Sequence, residues 1–222
     1  MKKLISGIHR FRDKYWSEYR EVFEHLAANG QNPDALFITC CDSRIDPTLL
    51  TRAKPGDLFV VRNIGNFVPP YREGHPDLTG VGAAVEYAVD FLRVRDIVIC
   101  GHTDCGSVKA LYDERSRYEK GETPHIAEWL KLGDRTIQVV AAGYPDLTHE
   151  ERLAVAFEEN VLVQLENLCT YPVVRRAMAE GRLHAHAWFF HIASGTVYDY
   201  NPATEQYEPI RYEGTGGGGK KG

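Results

Sequence analysis

Two short segments hold residues whose types and spacing can do chemistry. The first reads Cys40-Cys41-Asp42-Ser43-Arg44 and the second Gly101-His102-Thr103-Asp104-Cys105-Gly106. His102 and Cys105 form a His-x-x-Cys pair on a turn leaving an apolar run, and Cys40 offers a second thiol. Two thiolates and one imidazole are natural zinc ligands. Three protein ligands, with the fourth position left to water, is the arrangement of a catalytic rather than a structural zinc. Cys41 points to the other side of an extended chain, and Cys100 lies inside an apolar run and reads as core. The plain alternative is two buried thiols and an unrelated histidine. On an extended segment Cys40, Asp42 and Arg44 share one side. An aspartate beside a metal can bind it or accept a proton from its water. An arginine fork can hold that carboxylate bidentately, ionised but off the metal. The competing reading of Asp42 and Arg44 is a surface ion pair of little worth.

The elements that must position these groups are legible nearby. Ala35 to Thr39 ends at Cys40, Asp57 to Val61 ends at Arg62, and Ile97 to Cys100 ends at Gly101. Each is a short, continuous apolar run, as buried parallel strands are. Helical patterns separate them, at Asp46 to Arg52 and at Val81 to Leu92, the second with Ala84, Val85, Ala88, Phe91 and Leu92 inward. Alternating strand and helix predicts an α/β fold built from βαβ units. Ligands in such sheets gather beyond the carboxyl ends of the strands, where Cys40 and His102 fall. Thr148 and Glu151 form a capping-box pair opening a helix that runs to Leu168, and a short helix follows Pro172. Ala185 to Ile192 and Thr196 to Tyr200 read as strands joined at Ser194-Gly195. Residues 1–30 form an amphipathic helical arm, in one piece or broken near Asp13, that packs on the domain or on a partner subunit.

Four ordered motifs go further. Cys40-x-Asp42-x-Arg44 is followed by Arg62-Asn63-Ile64-Gly65-Asn66, by Gly80-Val81-Gly82-Ala83-Ala84-Val85-Glu86-Tyr87-Ala88-Val89, and by Gly101-His102-x-x-Cys105-Gly106. In order and spacing this resembles the β-class carbonic anhydrases over roughly residues 2 to 210. It is most similar to the plant-type branch, with the bacterial cyanate-operon and cyanobacterial carboxysomal enzymes. The resemblance implies a mainly parallel four-stranded sheet extended by an edge strand and flanked by helices. It implies reversible hydration of CO2 to bicarbonate by a zinc-bound hydroxide, with Cys40, His102 and Cys105 as Zn2+ ligands and Asp42 and Arg44 as the dyad that orients the hydroxide. Gln31 matches a glutamine that hydrogen-bonds a substrate oxygen. Phe59, Ile64 and Tyr87 match an apolar CO2 site partly supplied by the neighbouring subunit, and assembly is from dimers to tetramers or octamers. The chain departs from the family pattern at Cys41, where serine is common, at Thr103-Asp104, and at Ala187, where glycine is frequent. Asp104 adds a negative charge near the zinc.

The chain has 222 residues, of which 43% are hydrophobic and 26% charged, with net charge −5. These values exclude a disordered chain, a collagen-like chain and a small disulfide scaffold. They predict one domain over 1–212 with a flexible Gly-rich tail at 213–222. So mild an acidity points to no nucleic-acid partner and no anionic-membrane partner. The five cysteines are odd in number and unevenly spaced, a poor disulfide framework and a sign of a reducing compartment. Arg10, Arg12 and Asp13 interrupt the N-terminal segment, so no secretory signal is expected. No run of about 18 apolar residues suggests a membrane span. The expected location is cytoplasmic, with the carboxysome as a special case. Gly80-x-Gly82 lacks the third glycine of a dinucleotide fingerprint. His184 and His186 read as ordinary strand residues. No serine-hydrolase elbow or Cys-x-x-Cys redox pair is present. The competing functions are hydrolysis of carbonyl sulfide or carbon disulfide at the same site, and a non-catalytic scaffold homologue.

Overall fold

The computed structural model describes residues 1–74, 80–114, 118 and 121–211, so the predicted Gly-rich tail lies outside the described residues. One six-stranded sheet forms the centre: β1 (Ala35–Cys40), β2 (Leu58–Asn63), β3 (Asp96–His102), β4 (His184–His191), β5 (Thr196–Asn201) and β6 (Gln206–Pro209). The strand order is β2-β1-β3-β4-β5-β6. The first four strands are parallel, and β5 and β6 add antiparallel pairs at one side. The sequence predicts one edge strand there. The second, β6, has only four residues and ends at Pro209, too short and polar to show a strand period.

The centre of the sheet is built from runs that are apolar on both faces. All six residues of β1 are buried, as are Ile97 to His102 in β3. Leu36, Ile38, Ile97 and Ile99 pack into one buried cluster with α4 (Val81–Glu86), α8 (His149–Leu168) and α9 (Pro172–Ala179). Phe37, Val98 and Cys100 pack into another with Ile45, Val108 of α5 (Gly106–Lys109), Val140 of α7 (Asp134–Gly143) and Ala156. Covering both faces is what parallel strands with helical crossovers require. From β1 the chain passes through α3 (Pro47–Thr51) to β2. From β3 it passes through α5, α6 (Pro124–Leu130), α7, α8 and α9 to β4, on the other side. The carboxyl ends of neighbouring strands β1 and β3 therefore border the point where the winding reverses, which is where such sheets bind ligands.

Local signals set the helix limits. The Asp46 carboxylate accepts from the Leu49 N–H at 2.9 Å and Pro47 opens α3. Thr148 and Glu151 form the reciprocal capping box at the start of α8. In the 81–92 segment the helix passes into a π turn at Tyr87–Phe91. The extra residue in that turn rotates the face, so Ala88 and Val89 are buried while Phe91 is 75% exposed. This corrects the inward placement of Phe91. The N-terminal arm is α1 (Lys2–Arg10) and α2 (Trp16–Asn29), joined by a π turn at Phe11–Tyr15. Neither α1 nor α2 buries a residue. Leu4, Ile5, Ile8 and Phe11 stay exposed, so the first half of the stripe is not covered by the chain's own domain, whereas Leu26 of α2 packs against Gly56. Among the described residues no helix is long and apolar enough to cross a membrane.

A candidate metal centre and its Asp–Arg pair

Cys40 ends β1 and His102 ends β3, one strand away. The turn Thr103-Asp104 follows, with Asp104 at φ +63°, and Cys105 then stands at the N-cap of α5. Gly101 allows this packing. A Cβ there would lie 2.4 Å from Val161 Cγ2 of α8, so only a residue without one lets the helix seat on the end of β3.

The three ligand atoms lie within 4.8 Å of one another, and all three residues are buried. Cys40 Sγ and Cys105 Sγ are 4.0 Å apart. Two thiolates at about 2.3 Å from a tetrahedral cation would stand about 3.8 Å apart, so the spacing fits such an ion. His102 Nδ1 donates to the Thr103 carbonyl at 2.9 Å, which leaves the lone pair on Nε2. That Nε2 is buried with no hydrogen-bond partner among the described residues. A buried nitrogen that faces two sulfurs and has no oxygen or nitrogen partner could hold a cation.

The thiols are prepared unequally. The Cys40 thiol, the Ser107 hydroxyl and backbone N–H groups of the helix start push Cys105 down to about 6. Ser107 Oγ lies 3.0 Å from the sulfur. Its hydrogen-bonded neighbour Cys105 and burial push Cys40 up to about 12. The pair thus gives up one proton readily, and the second leaves only against a compensating positive charge. The N–H of Asp42 donates to Cys40 Sγ at 3.4 Å, and that of Gly65 also reaches this sulfur. Gly65 has φ +82°, and a Cβ on it would lie 2.6 Å from Ser107 Oγ.

Asp42 and Arg44 form the predicted pair. Arg44 Nε donates to Oδ1 at 2.9 Å and Nη2 to Oδ2 at 2.7 Å, and the Arg44 backbone N–H reaches Oδ1 at 2.9 Å. These bonds hold the carboxyl far below the usual carboxylate range. Arg62, at the end of β2, donates to the carbonyls of Cys40, Asp42 and Ile45 at 3.1, 2.8 and 2.8 Å and so pins the loop that carries the pair.

The chain does not gather all of the predicted residues. Ile64 follows directly on Asn63, the register partner of Cys40, and is 46% exposed beside the group. Its carbonyl is held by Trp129 Nε1 at 2.7 Å. Gln31 lies before the start of β1, at the far end of that strand from Cys40. Phe59 is in register with Leu36, four residues before Cys40 and so about 13 Å away along the sheet. Tyr87 packs on Phe59 with ring centroids 5.9 Å apart, and Phe91 stacks on Tyr87 at 5.5 Å. Some supporting residues were missed from sequence. Asn160 and Gln164 sit in the inward stripe of α8 as if apolar, yet they are buried pins. Asn160 Nδ2 donates to the Gly65 carbonyl at 3.1 Å, and Gln164 Oε1 accepts from the Val68 N–H at 2.8 Å. Two polar residues one turn apart in an apolar stripe are the signal that would have found them. His186 Nε2 is 2.8 Å from Asp96 Oδ1, an ordinary strand-end pairing.

Comparison with known proteins agrees with this geometry. The family described as carbonic anhydrase matches residues 35–197. A carbonic anhydrase of Synechocystis sp. is 43% identical over 201 residues, covering 90% of this chain and 71% of that protein. The solved structure of the β-carbonic anhydrase CcaA is similar with a TM-score of 0.87 and 38% identity, covering 96% of this chain and 93% of that one. A tetrameric β-carbonic anhydrase of Sordaria macrospora gives a TM-score of 0.76 at 30% identity, covering 89% and 95%. An α/β enzyme with a Cys-His-Cys metal group at the ends of its central strands, this chain belongs to the β-carbonic anhydrase family.

Proposed function

We propose that the chain binds Zn2+ through Cys40, His102 and Cys105 and catalyses the reversible hydration of CO2 to bicarbonate. The observation that carries this is the unpartnered, buried Nε2 of His102 facing two sulfurs, one strand end from a carboxylate locked by Arg44. Two thiolates and a neutral imidazole match the charge of a divalent ion. When bound, zinc supplies a nucleophile by lowering the pKa of a water from about 15.7 to about 7.

The chain's own residues do the rest. Held as a carboxylate, Asp42 is an acceptor only. It takes the attacking oxygen's proton in a hydrogen bond and so directs a lone pair towards carbon. Arg44 keeps the carboxylate from turning to ligate the metal itself. Ile64 offers an apolar surface where CO2, which carries no net charge, waits without displacing ordered water. Gln31, Phe59 and Tyr87 lie too far from Cys40 within one chain. In this reading a second copy brings them to the centre, in a dimer or a dimer-based tetramer or octamer. Two observations support that assembly. Val60, Tyr87 and Phe91 are exposed, as are Leu4, Ile5, Ile8 and Phe11 of the arm, and the Sordaria relative is tetrameric.

The test is stopped-flow CO2 hydration on purified protein with its metal quantified. One zinc per chain with activity rising from about pH 7 to 9 is the expected result. Protein that folds yet takes up no zinc would overturn the assignment.

A further inference from the structure

Arg44 uses more of its guanidinium than Asp42 needs. Nε and Nη2 form the edge that grips Asp42. Nη1 donates to Asp104 Oδ2 at 3.0 Å, and Nη2 donates also to the Asp104 carbonyl at 3.0 Å. Four of the five guanidinium N–H bonds are thus engaged, on two different edges. The other oxygen of Asp104 is held by Lys109 Nζ, from the last turn of α5. The charges alternate along a chain running Lys109, Asp104, Arg44, Asp42.

We propose that Asp104, pinned by Lys109, is a positioning residue that fixes the orientation of the Asp42 carboxylate through Arg44. A guanidinium gripped along one edge can pivot about that edge, and the Arg44 side chain is 43% exposed. A second grip on the Nη end removes the pivot. The turn that supplies it is the one separating His102 from Cys105. At φ +63° Asp104 takes a left-handed conformation that aspartate tolerates better than most residues. That conformation sends both its carbonyl and its carboxylate to Arg44. One turn therefore spaces two metal ligands and aims the proton acceptor at the same centre. Ion pairs this exposed add little to stability, so their effect falls on geometry. The inference rests on the proposed role of the Asp42–Arg44 pair.

The test uses Asp104→Gly, which accepts a positive φ without strain, Asp104→Asn, which keeps an oxygen for Arg44, and Lys109→Met. Each is made in the zinc-loaded, full-length enzyme. Asp104→Gly is expected to lower kcat about 10-fold with little change in KM, since misorientation weakens the transition state rather than binding. Asp104→Asn should recover to within about 3-fold of wild type, and Lys109→Met should lose about 2- to 3-fold, with zinc content unchanged in all three. In an Arg44→Ala background, Asp104→Gly should add no further loss, because it acts through Arg44. A readout independent of activity is the side-chain Nε–H resonance of Arg44 in protein labelled with 15N-arginine. It should be sharp in wild type and broadened in Asp104→Gly, with zinc or without. Wild-type kcat with an unchanged resonance in Asp104→Gly would overturn the inference, as would a loss fully additive with Arg44→Ala. Full activity in Arg44→Ala alone would instead overturn the role of the Asp42–Arg44 pair.

Discussion

Replacing Arg44 with alanine tests the centre of the mechanism. The substitution removes two charge-assisted hydrogen bonds to Asp42, of 2.9 and 2.7 Å, and leaves the 2.9 Å bond from the backbone N–H. Such bonds are worth about 1.5–3 kcal/mol each. The Arg44 side chain is 43% exposed, and water can take part of its place, so the lower figure applies. The loss of orientation is then about 3 kcal/mol, or about 10²-fold in kcat/KM at 1.36 kcal/mol per decade. Arg44 touches none of the three ligand atoms, so the metal should stay. Stopped-flow hydration with a pH indicator and metal analysis of the same sample measure both. Arg44→Lys keeps the charge but not the fork, and should regain less than about a tenth of the lost activity. An Arg44→Ala enzyme with one zinc per chain and activity within about 3-fold of wild type would refute the reasoning, because an effect that small leaves no room for oriented Asp42.

Further outcomes can be measured independently. Gly101→Ala should lower stability by about 2 kcal/mol through overpacking against Val161, seen as a fall in Tm of about 4–8 °C; an unchanged Tm would mean that α8 shifts freely. Cadmium uptake followed by calorimetry in buffers of different ionisation enthalpy should release close to one thiol proton per ion at pH 8.5, since Cys105 sits at about 6 and Cys40 at about 12. The count should rise as pH falls towards about 6, where Cys105 is about half protonated in the free protein and His102, its pKa raised, adds its own proton; two protons at pH 8.5 would contradict the unequal pair. Phe91→Glu, at an exposed position stacked on Tyr87, should dissociate the oligomer in sedimentation and abolish hydration while zinc stays bound. Retained assembly in that variant would remove this patch from the interface.

What the sequence shows of this molecule follows from the range of the forces involved. The strands ending at Cys40 and His102 are legible because burial on both faces demands continuous apolar runs, and the run before Arg62 is as apolar although β2 stands half-buried at the sheet edge. The capping box at Thr148 and the metal spacing in His102-x-x-Cys105 are legible because they act over three residues. The contact of Arg44 with Asp104 is not, since it spans 60 positions and exists only because β1 and β3 are adjacent in register. The outward turn of Phe91 depends on one extra residue in a π turn, which no period of 3.6 foresees. Asn160 and Gln164 are not legible as pins because their partners, the backbone of Gly65 and Val68, lie about 95 residues away.

The division of the predicted site within one chain has a physical logic. The metal group and its Asp–Arg pair need sub-ångström order: the three ligand residues stand buried on strand ends and a helix N-cap, and the pair sits on the pinned loop just beyond β1. CO2 recognition needs apolar surface and little orientation, so it tolerates being assembled across an interface. In the proposed assembly the surface that a lone chain leaves exposed at Val60, Tyr87 and Phe91 is covered by a neighbour, and the same burial that drives association closes the substrate side of the centre. Activity per chain should therefore fall on dilution below the dissociation constant of the oligomer while the zinc content holds, and the two losses separate assembly from metal binding.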